Sequence, residues 1–188
     1  MKVVQISDTH GLHRRLGPLP EGDVVVHCGD VSHEGTEEEV LDFLNWFIDL
    51  PYPHKIFVTG NHDLCLWDAE SIEDLPDNLL FLQDEIVTID GVKFFGLGYN
   101  YPEALIPEGM DVVVTHEPPL HILDCSNGVN WGNLAIEERI REVAPRYHLF
   151  GHSHEAHGVK KSGGTVYSNG SLLDDKGEIA YKPIIFEI

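Results

Sequence analysis

The stretch IFVTGNHD, residues 56–63, decides the fold of this chain. It begins with apolar and β-branched residues, which favour a buried strand, and it ends in a glycine and three polar residues, which favour a strand tip. Four more stretches have the same form: VVQISDTH (3–10), VVVHCGD (24–30), VVVTHEPP (112–119) and HLFGHSH (148–154). In an α/β sheet the carboxyl ends of such strands open into one crevice. We therefore predict that the five tips converge and bring their Asp, Asn and His side chains together.

Length and composition predict one globular domain over residues 1–188. The chain has 188 residues, of which 42% are hydrophobic and 23% are charged, which is enough for a sizeable core. Its formal net charge of −20 argues against broad nucleic-acid binding, because affinity for a phosphate backbone depends on clustered Lys and Arg. Two bound cations would nevertheless make a pocket locally positive, so that it could attract a single phosphate.

The cysteines favour a reducing compartment. Cys28, Cys65 and Cys125 are odd in number and widely spaced, so neither a disulfide framework nor a zinc knuckle is indicated. No apolar run approaches the roughly 18 residues that a membrane span needs, and no signal-peptide pattern is present. We expect a cytoplasmic protein with no membrane association, and its oligomeric state stays open.

Strands dominate the predicted secondary structure. They fall near residues 2–7, 23–28, 55–59, 79–82, 85–90, 92–97, 111–115, 147–150, 165–168 and 181–187. Asp90-Gly91 predicts an antiparallel hairpin, and Gly163-Gly164 predicts a hairpin turn in place of a phosphate-binding loop. A further antiparallel element is expected to close the C-terminus.

Two helices are predicted to cover the outer faces of the sheets. The first spans about residues 36–49, because Thr36 and Glu39 form a capping-box pattern before an apolar stripe and Pro51 forbids continuation. The second spans about residues 133–143 and is stopped by Pro145. Strands in this number with two amphipathic helices predict an α/β fold.

The strand tips carry seven candidate metal ligands: Asp8, His10, Asp30, Asn61, His116, His152 and His154. Asp30 follows a glycine, which permits a tight turn, and a carboxylate there can bridge two ions because each oxygen can ligate one. The mixed nitrogen and oxygen donors suit manganese, iron, zinc or nickel better than calcium or magnesium, without separating those four metals. Each residue alone is equally well explained as a cap, turn or hydrogen-bonding residue. Their joint occurrence at five ordered tips favours a metal site.

These tips resemble the ordered motifs of the calcineurin-like metallophosphoesterase superfamily. The motifs are Asp8-Thr9-His10, Gly29-Asp30, Gly60-Asn61-His62-Asp63, Thr115-His116 and Gly151-His152-Ser153-His154. The stretches 27–63, 114–120 and 148–158 are most similar to the metallophosphoesterase-domain-containing branch, close to the class III cyclic-nucleotide phosphodiesterases. The resemblance implies two mixed β-sheets packed as a sandwich with flanking helices, a four-layer α/β/β/α fold.

The resemblance also implies how the ligands divide between two ions. One ion would be held by Asp8, His10, Asp30 and His154, and the second by Asp30, Asn61, His116 and His152. His62 matches the family position that contacts substrate and donates a proton, with Asp63 available to orient or tune it. Relatives often carry an acidic residue three positions after the bridging aspartate, where this chain has His33 followed by Glu34.

This constellation predicts a dinuclear-metal-dependent phosphoester hydrolase. Two cations about 3.5–4 Å apart can hold a bridging water and supply hydroxide near neutral pH, while His62 protonates the leaving alkoxide as general acid. The simplest expectation is a phosphodiesterase that acts on a small soluble phosphoester. A phosphomonoesterase or nuclease is the nearest alternative, and a non-catalytic metal-binding interaction scaffold is the alternative from another class. The substrate, its leaving group and the metal identity stay open.

The other histidines are expected to lie outside the site. Solvated loop positions are expected for four of them: His13, His33, His121 and His157. Structural roles are expected for the remaining three: His27, His54 and His148.

Overall fold

The computed structural model describes residues 1–188 and contains thirteen strands and two α-helices. The strands are β1 (Lys2–Ile6), β2 (Val24–His27), β3 (His54–Phe57), β4 (Leu79–Phe81), β5 (Glu85–Ile89), β6 (Val92–Gly96), β7 (Val112–Val114), β8 (Cys125–Ser126), β9 (Val129–Asn130), β10 (Tyr147–Phe150), β11 (Gly158–Ser162), β12 (Thr165–Asn169) and β13 (Ile184–Glu187). The helices are α1 (Glu37–Ile48) and α2 (Leu134–Val143). Every strand predicted from the sequence is present.

The strands form two mixed sheets and a small hairpin. The first sheet has the order β13-β1-β2-β3-β4, in which β1 to β4 are parallel and β13 is antiparallel to β1. The second sheet has the order β11-β12-β10-β7-β6-β5, with a parallel centre and an antiparallel strand at each edge. The short strands β8 and β9 pair only with each other. The expected pair of mixed sheets is confirmed.

The two sheets pack face to face because their central strands present apolar side chains to each other. The core between the sheets includes Val3, Val24 and Ile56 of the first sheet and Val112 and Val114 of the second. At the rates typical of apolar burial, each such side chain contributes about 1.5–3 kcal/mol to folding. The sandwich is therefore held mainly by this apolar layer.

The helices complete the outer layers. Phe43 and Phe47 of α1 join the core on the outer face of the first sheet, and Ile136 and Ile140 of α2 join the core on the outer face of the second. The resulting order is helix, sheet, sheet, helix. The α/β class and the sandwich architecture are confirmed.

Local turn and cap chemistry agrees with the sequence. The Thr36 hydroxyl accepts the Glu39 N–H while the Glu39 carboxylate accepts the Thr36 N–H, which completes the predicted capping box. Asp90 and Gly91 have φ angles of 47° and 83°, the left-handed pair that a two-residue hairpin between β5 and β6 requires. No helix has both the length and the apolar character needed to cross a bilayer.

Three strands were not predicted, and their side chains explain why. Strand β11 has the sequence GVKKS and is largely exposed, so it lacks the apolar alternation that identifies a half-buried strand. It forms because its backbone pairs with β12 across the Gly163-Gly164 turn. Strands β8 and β9 have two residues each and carry no periodic signal.

Candidate metal centre

The structure brings all seven candidate ligands to one edge of the sandwich. Asp8, His10 and His154 form one group, and their ligand atoms lie within 4.8 Å of one another. Asp30, His116 and His152 form a second group within the same limit. Five strand ends distant in sequence therefore supply two adjacent sets of donors.

Asn61 belongs to the second group. Its Oδ1 atom lies 2.9 Å from His116 Nε2 and 2.9 Å from His152 Nδ1. A neutral amide oxygen adds a donor without adding negative charge. This donor set of one carboxylate, one amide and two imidazoles suits a borderline divalent metal.

A single oxygen of Asp30 faces both groups. Asp30 Oδ2 lies 3.5 Å from His10 Nε2 in the first group and 3.3 Å from His116 Nε2 in the second. The other oxygen, Oδ1, accepts the His62 N–H at 2.8 Å. Oδ2 is therefore the Asp30 oxygen that faces both groups, and the expectation that Asp30 bridges two ions stays a prediction.

The backbone is strained at four of the seven ligands. Asp8, His10, Asp30 and His152 have φ angles of 55°, 42°, 57° and 69°, in the left-handed region that side chains with a Cβ rarely adopt. Such conformations cost of order 1–3 kcal/mol each and persist only where the surroundings impose them. Their concentration here shows that the strand tips are built to aim these side chains at a common point.

Two glycines allow the loops after β2 and β3 to approach each other closely. A Cβ atom on Gly60 would collide with the carboxylate of Asp30, and one on Gly29 would lie 2.6 Å from His116 Nδ1. Gly29 also has a φ angle of 91°. The glycine before each ligand is thus required by the packing of the site itself.

Backbone carbonyls orient two of the imidazoles. His116 Nδ1 lies 2.8 Å from the Cys28 carbonyl oxygen, and His154 Nδ1 lies 3.1 Å from the Asp174 carbonyl oxygen. Because a carbonyl only accepts, Nδ1 of each ring donates to it, and Nε2 faces the other ligand side chains. The Nε2 atom of each ring is therefore aimed at the centre, where it would bind a metal in place of a proton.

The electrostatics of the site call for added positive charge. Asp8 and Asp30 are 0% and 2% exposed, and no Lys or Arg pairs with either carboxylate. Burial opposes charge on His116, yet Asp30 outweighs it and raises the pKa of that imidazole to about 10. Burial likewise favours neutral Asp8, but the surrounding imidazoles hold its pKa well below the usual range. Buried carboxylates need a cation or a metal, so the donor set fits a pair of divalent ions.

His62 lies beside the first group of ligands. Its ring centroid is 4.7 Å from that of His10, and its Nδ1 lies 2.7 Å from the His33 carbonyl oxygen. The carbonyl fixes the proton on Nδ1 and leaves Nε2 as the nitrogen that can exchange a proton. The proton-donor role of His62 stays a prediction.

The Asp63 carboxylate makes its hydrogen bonds to the backbone and to Ser32 and makes none to the His62 ring. This carboxylate is fully buried and accepts the backbone N–H groups of Asp30, Val31, Ser32 and Gly60 at 2.8–3.3 Å. These hydrogen bonds join the loop after β2 to the loop after β3. The expectation that Asp63 is available to orient or tune His62 stays a prediction. Burial, followed by the charge of Asp30, raises the pKa of Asp63 to about 6 against these donors.

Sequence reasoning missed Ser171, which contacts a ligand. The Ser171 hydroxyl donates to Asp8 Oδ2 at 2.6 Å, and the His152 N–H reaches the same carboxylate at 3.0 Å. Ser171 follows β12, whose sequence TVYSN runs into Gly170. This stretch has the same form as the five quoted tips, an apolar strand followed by glycine and a polar residue, and that signal could have found it.

A cavity of about 550 Å³ opens over the two groups. It is lined by His10, Leu12, Asp30, His33, Asn61, His62, His152, His154, Leu173, Lys176 and Gly177. The segment 173–177 was not expected at the site, because it lies beyond the last of the five motifs. This volume is in the range of small-molecule sites.

The four histidines predicted to be solvated differ in their exposure. His33 is exposed but lines the cavity, and His121 is exposed elsewhere. His157 is half-buried and stacks on Tyr181. His13 is 1% exposed, so its predicted solvated position is wrong; it packs against the aromatic residues of α1.

The expected structural histidines are placed as follows. His27 and His148 are fully buried, in agreement with the prediction, and His54 is half-buried at the start of β3. Cys28 is also fully buried, as expected for a small apolar residue.

The sequence comparisons agree with this geometry. A family model described as "Calcineurin-like phosphoesterase" matches residues 1–156. A UPF0046 protein of Caenorhabditis elegans is 35% identical, over 100% of this chain and 75% of its own length. Metallophosphoesterase domain-containing protein 1 of Homo sapiens is 32% identical, over 100% of this chain and 71% of its own length.

A solved structure shares the fold. The phosphopantetheinyl hydrolase of Mycobacterium tuberculosis superposes with a TM-score of 0.62 and 14% sequence identity, over 94% of this chain and 90% of that one. At this identity the likeness concerns the fold alone.

Proposed function

This chain belongs to the calcineurin-like phosphoesterase family of metal-dependent phosphoester hydrolases, and from that premise we propose that it is a phosphodiesterase acting on a small soluble substrate. The family binds two divalent metals. The seven side chains at the strand tips would hold them: Asp8, His10 and His154 on one side, Asn61, His116 and His152 on the other, and Asp30 between. Metal identity within the group of manganese, iron, zinc and nickel is left to experiment.

The observation that carries the proposal is the position of Asp30 Oδ2. It lies 3.5 Å from a nitrogen of one donor group and 3.3 Å from a nitrogen of the other. If two divalent ions bind to the two groups, Asp30 would lie between them and would contribute to holding both. The chemistry that such a metal pair would supply when bound is neutralisation of phosphate oxygens and activation of a water for attack on phosphorus.

His62 is suited to complete the reaction as general acid. Its Nδ1–H is held by the His33 carbonyl oxygen at 2.7 Å, so the ring keeps one proton throughout. A second proton on Nε2 can then pass to the leaving alkoxide as the P–O bond breaks. The ring returns to its neutral Nδ1–H form, ready for protonation by water.

The cavity supports a diester of modest size. About 550 Å³ exceeds what a phosphate group alone requires and leaves room for an alcohol on each side of phosphorus. The net charge of −20 disfavours long nucleic acid as the substrate, because binding to a phosphate backbone depends on clustered Lys and Arg, and the chain has 12 of these against 32 Asp and Glu. A small diester therefore fits the site better than a duplex.

Turnover of two chromogenic esters tests the proposal. The manganese-loaded protein is assayed with bis(p-nitrophenyl) phosphate and with p-nitrophenyl phosphate, and kcat/KM is compared. We expect the diester to be the better substrate. The matched control is Asp30→Asn, which keeps the side-chain volume but weakens the shared ligand, and it should lose turnover of both esters.

Each other outcome contradicts a defined part of the proposal. Faster hydrolysis of the monoester favours a phosphomonoesterase. Hydrolysis of single- or double-stranded DNA at a higher kcat/KM than the model diester favours a nuclease. A folded, metal-loaded protein that is inert toward all of these substrates favours a non-catalytic scaffold.

We further propose that the reaction takes place in the cytoplasm. All three cysteines are free thiols, and Cys65 and Cys125 are exposed, which suits a reducing compartment. Fractionation of cells that express the protein with a C-terminal tag tests this, and recovery from an oxidising compartment contradicts it.

A further inference from the structure

The turn at residues 173–179 places one lysine on the wall of the metal cavity. Lys176 is the only Lys or Arg among the eleven residues that line it. We propose that Lys176 binds a second anionic group of the substrate, a carboxylate or phosphate carried by one of the alcohols. This inference rests on the proposed function, because the first phosphate is taken to lie on the metal ligands.

The turn that carries Lys176 is well defined by hydrogen bonds. Asp174 Oδ1 accepts the N–H groups of Lys176 and Glu178 at 2.9 and 3.0 Å, and the Gly177 N–H donates to the Asp174 carbonyl oxygen at 3.1 Å. Leu173 and Ile179 form an antiparallel bridge that closes the turn. The backbone of Lys176 is thus fixed, and only its side chain is free to adjust.

The same turn is joined to a metal ligand. The Asp174 carbonyl oxygen lies 3.1 Å from His154 Nδ1, whose other nitrogen faces the first donor group. The position of the Lys176 backbone is therefore linked, through one residue and one hydrogen bond, to the place where phosphate is expected. A ligand that bridges the metals and Lys176 would meet a prearranged pair of sites.

The charge of Lys176 is not neutralised by a salt bridge. No carboxylate lies within 4.0 Å of its ammonium group, although the chain has 32 Asp and Glu against 12 Lys and Arg. A lysine in so acidic a protein has many potential partners. No salt bridge within 4.0 Å therefore competes with a ligand in the cavity for the Lys176 ammonium group.

The chemistry of lysine matches this role. An ammonium group on a flexible stem has three donors and accepts carboxylates or phosphates in several geometries, so it selects for charge more than for shape. The expected preference is modest because Lys176 is exposed and solvent screens the pair. It should also weaken as ionic strength rises.

Calorimetric binding of non-hydrolysable phosphonates tests the proposal without requiring turnover. The manganese-loaded protein is titrated with butylphosphonate, 3-phosphonopropionate and 4-phosphonobutyrate, which differ in whether they carry a carboxylate and in how far it reaches. We expect at least one carboxylate-bearing ligand to bind about threefold to fivefold more tightly than butylphosphonate, as for an exposed ion pair. This difference in affinity should decrease as the NaCl concentration is raised from 50 to 500 mM.

Lys176→Gln should remove this preference, whereas Lys161→Gln, which deletes the same charge from the exposed strand β11, should retain it. Equal affinities for all three ligands in the wild type, or a preference that survives Lys176→Gln, would overturn the proposal. Parallel turnover of bis(p-nitrophenyl) phosphate separates the two claims. If the protein prefers carboxylate-bearing ligands but does not hydrolyse the diester, the Lys176 site is supported and the phosphodiesterase activity is contradicted. If it hydrolyses the diester but shows no such preference, the phosphodiesterase activity is supported and the Lys176 site is contradicted.

Discussion

Replacing Asp63 by asparagine distinguishes a loop-clamping role from a direct catalytic one. The Asp63 carboxylate accepts four backbone N–H groups at 2.8–3.3 Å and the Ser32 hydroxyl at 2.7 Å. Asparagine keeps the shape but turns one oxygen into a donor. Whichever oxygen is lost, at least one buried N–H then faces another N–H.

The size of the effect follows from those contacts. Oδ1 accepts the Ser32 N–H and hydroxyl, and Oδ2 accepts three N–H groups, from Asp30, Val31 and Gly60. The amide would keep its oxygen on the Oδ2 side and lose the Oδ1 bonds. Each buried donor left unpaired costs about 1–3 kcal/mol, so the loss of both Oδ1 bonds in Asp63→Asn should lower the free energy of unfolding by roughly 2–6 kcal/mol.

Urea unfolding of the metal-free protein measures this loss, and mass spectrometry of the dialysed, metal-loaded protein measures bound ions. We expect reduced metal affinity as well, because the clamp holds the Asp30 backbone. The matched control is Asp111→Asn. Its carboxylate accepts one backbone N–H, from Lys93 at 3.0 Å, at the opposite end of β7 from the site. The control should lose less than about 1 kcal/mol and bind metal normally.

One result would refute the reasoning on Asp63. An Asp63→Asn variant with wild-type unfolding free energy and metal content, but a shifted pH profile of kcat, would mean that the carboxylate acts on His62 after all.

Three further perturbations have defined outcomes. His62→Ala should leave both ions bound, as measured by mass spectrometry, while kcat falls about 10²–10⁴-fold through loss of the general acid; loss of metal in this variant would contradict the division of roles. Gly60→Ala should displace Asp30, since the new Cβ collides with its carboxylate, and should reduce metal content; full metal occupancy would argue against so tight a packing. Burial lowers the pKa of His148 from 6.5 to about 3, so at acidic pH the unfolded state binds a proton that the folded state does not. The free energy of unfolding should therefore decrease as the pH is lowered below about 6.5. His148→Gln should flatten that decline in melting temperature between pH 7 and 5, and an unchanged slope would contradict it.

Much of the fold was predictable because the central strands are rich in apolar residues and end abruptly in glycine and polar residues. This pattern is typical of strands buried on both faces, as in β2 and β7. Thr36 and Asp90-Gly91 carry equally specific local chemistry, and both behaved as predicted. Strand β11 was not predictable in this way, since its pairing partner and not its side chains makes it a strand.

The composition of the site was more predictable than its detailed bonding. Side-chain type and order indicated which residues to gather at the metal centre. They could not indicate that the His62 N–H donates to Asp30 Oδ1, or that the Asp63 carboxylate accepts backbone N–H groups. These contacts depend on how the loops after β2 and β3 approach each other. The solvated position predicted for His13 was wrong for a similar reason. A histidine near a turn is usually exposed, but here aromatic rings of α1 pack against it.

The most direct measurement is anomalous diffraction from crystals grown with manganese. The seven donors should surround two peaks about 3.5–4 Å apart, with Asp30 Oδ2 between them. His152 should bind its ion through Nδ1, the nitrogen that lies 2.9 Å from Asn61 Oδ1. A single peak, or two peaks that leave Asp30 outside the coordination of one ion, would contradict the shared-oxygen centre on which the proposed chemistry depends.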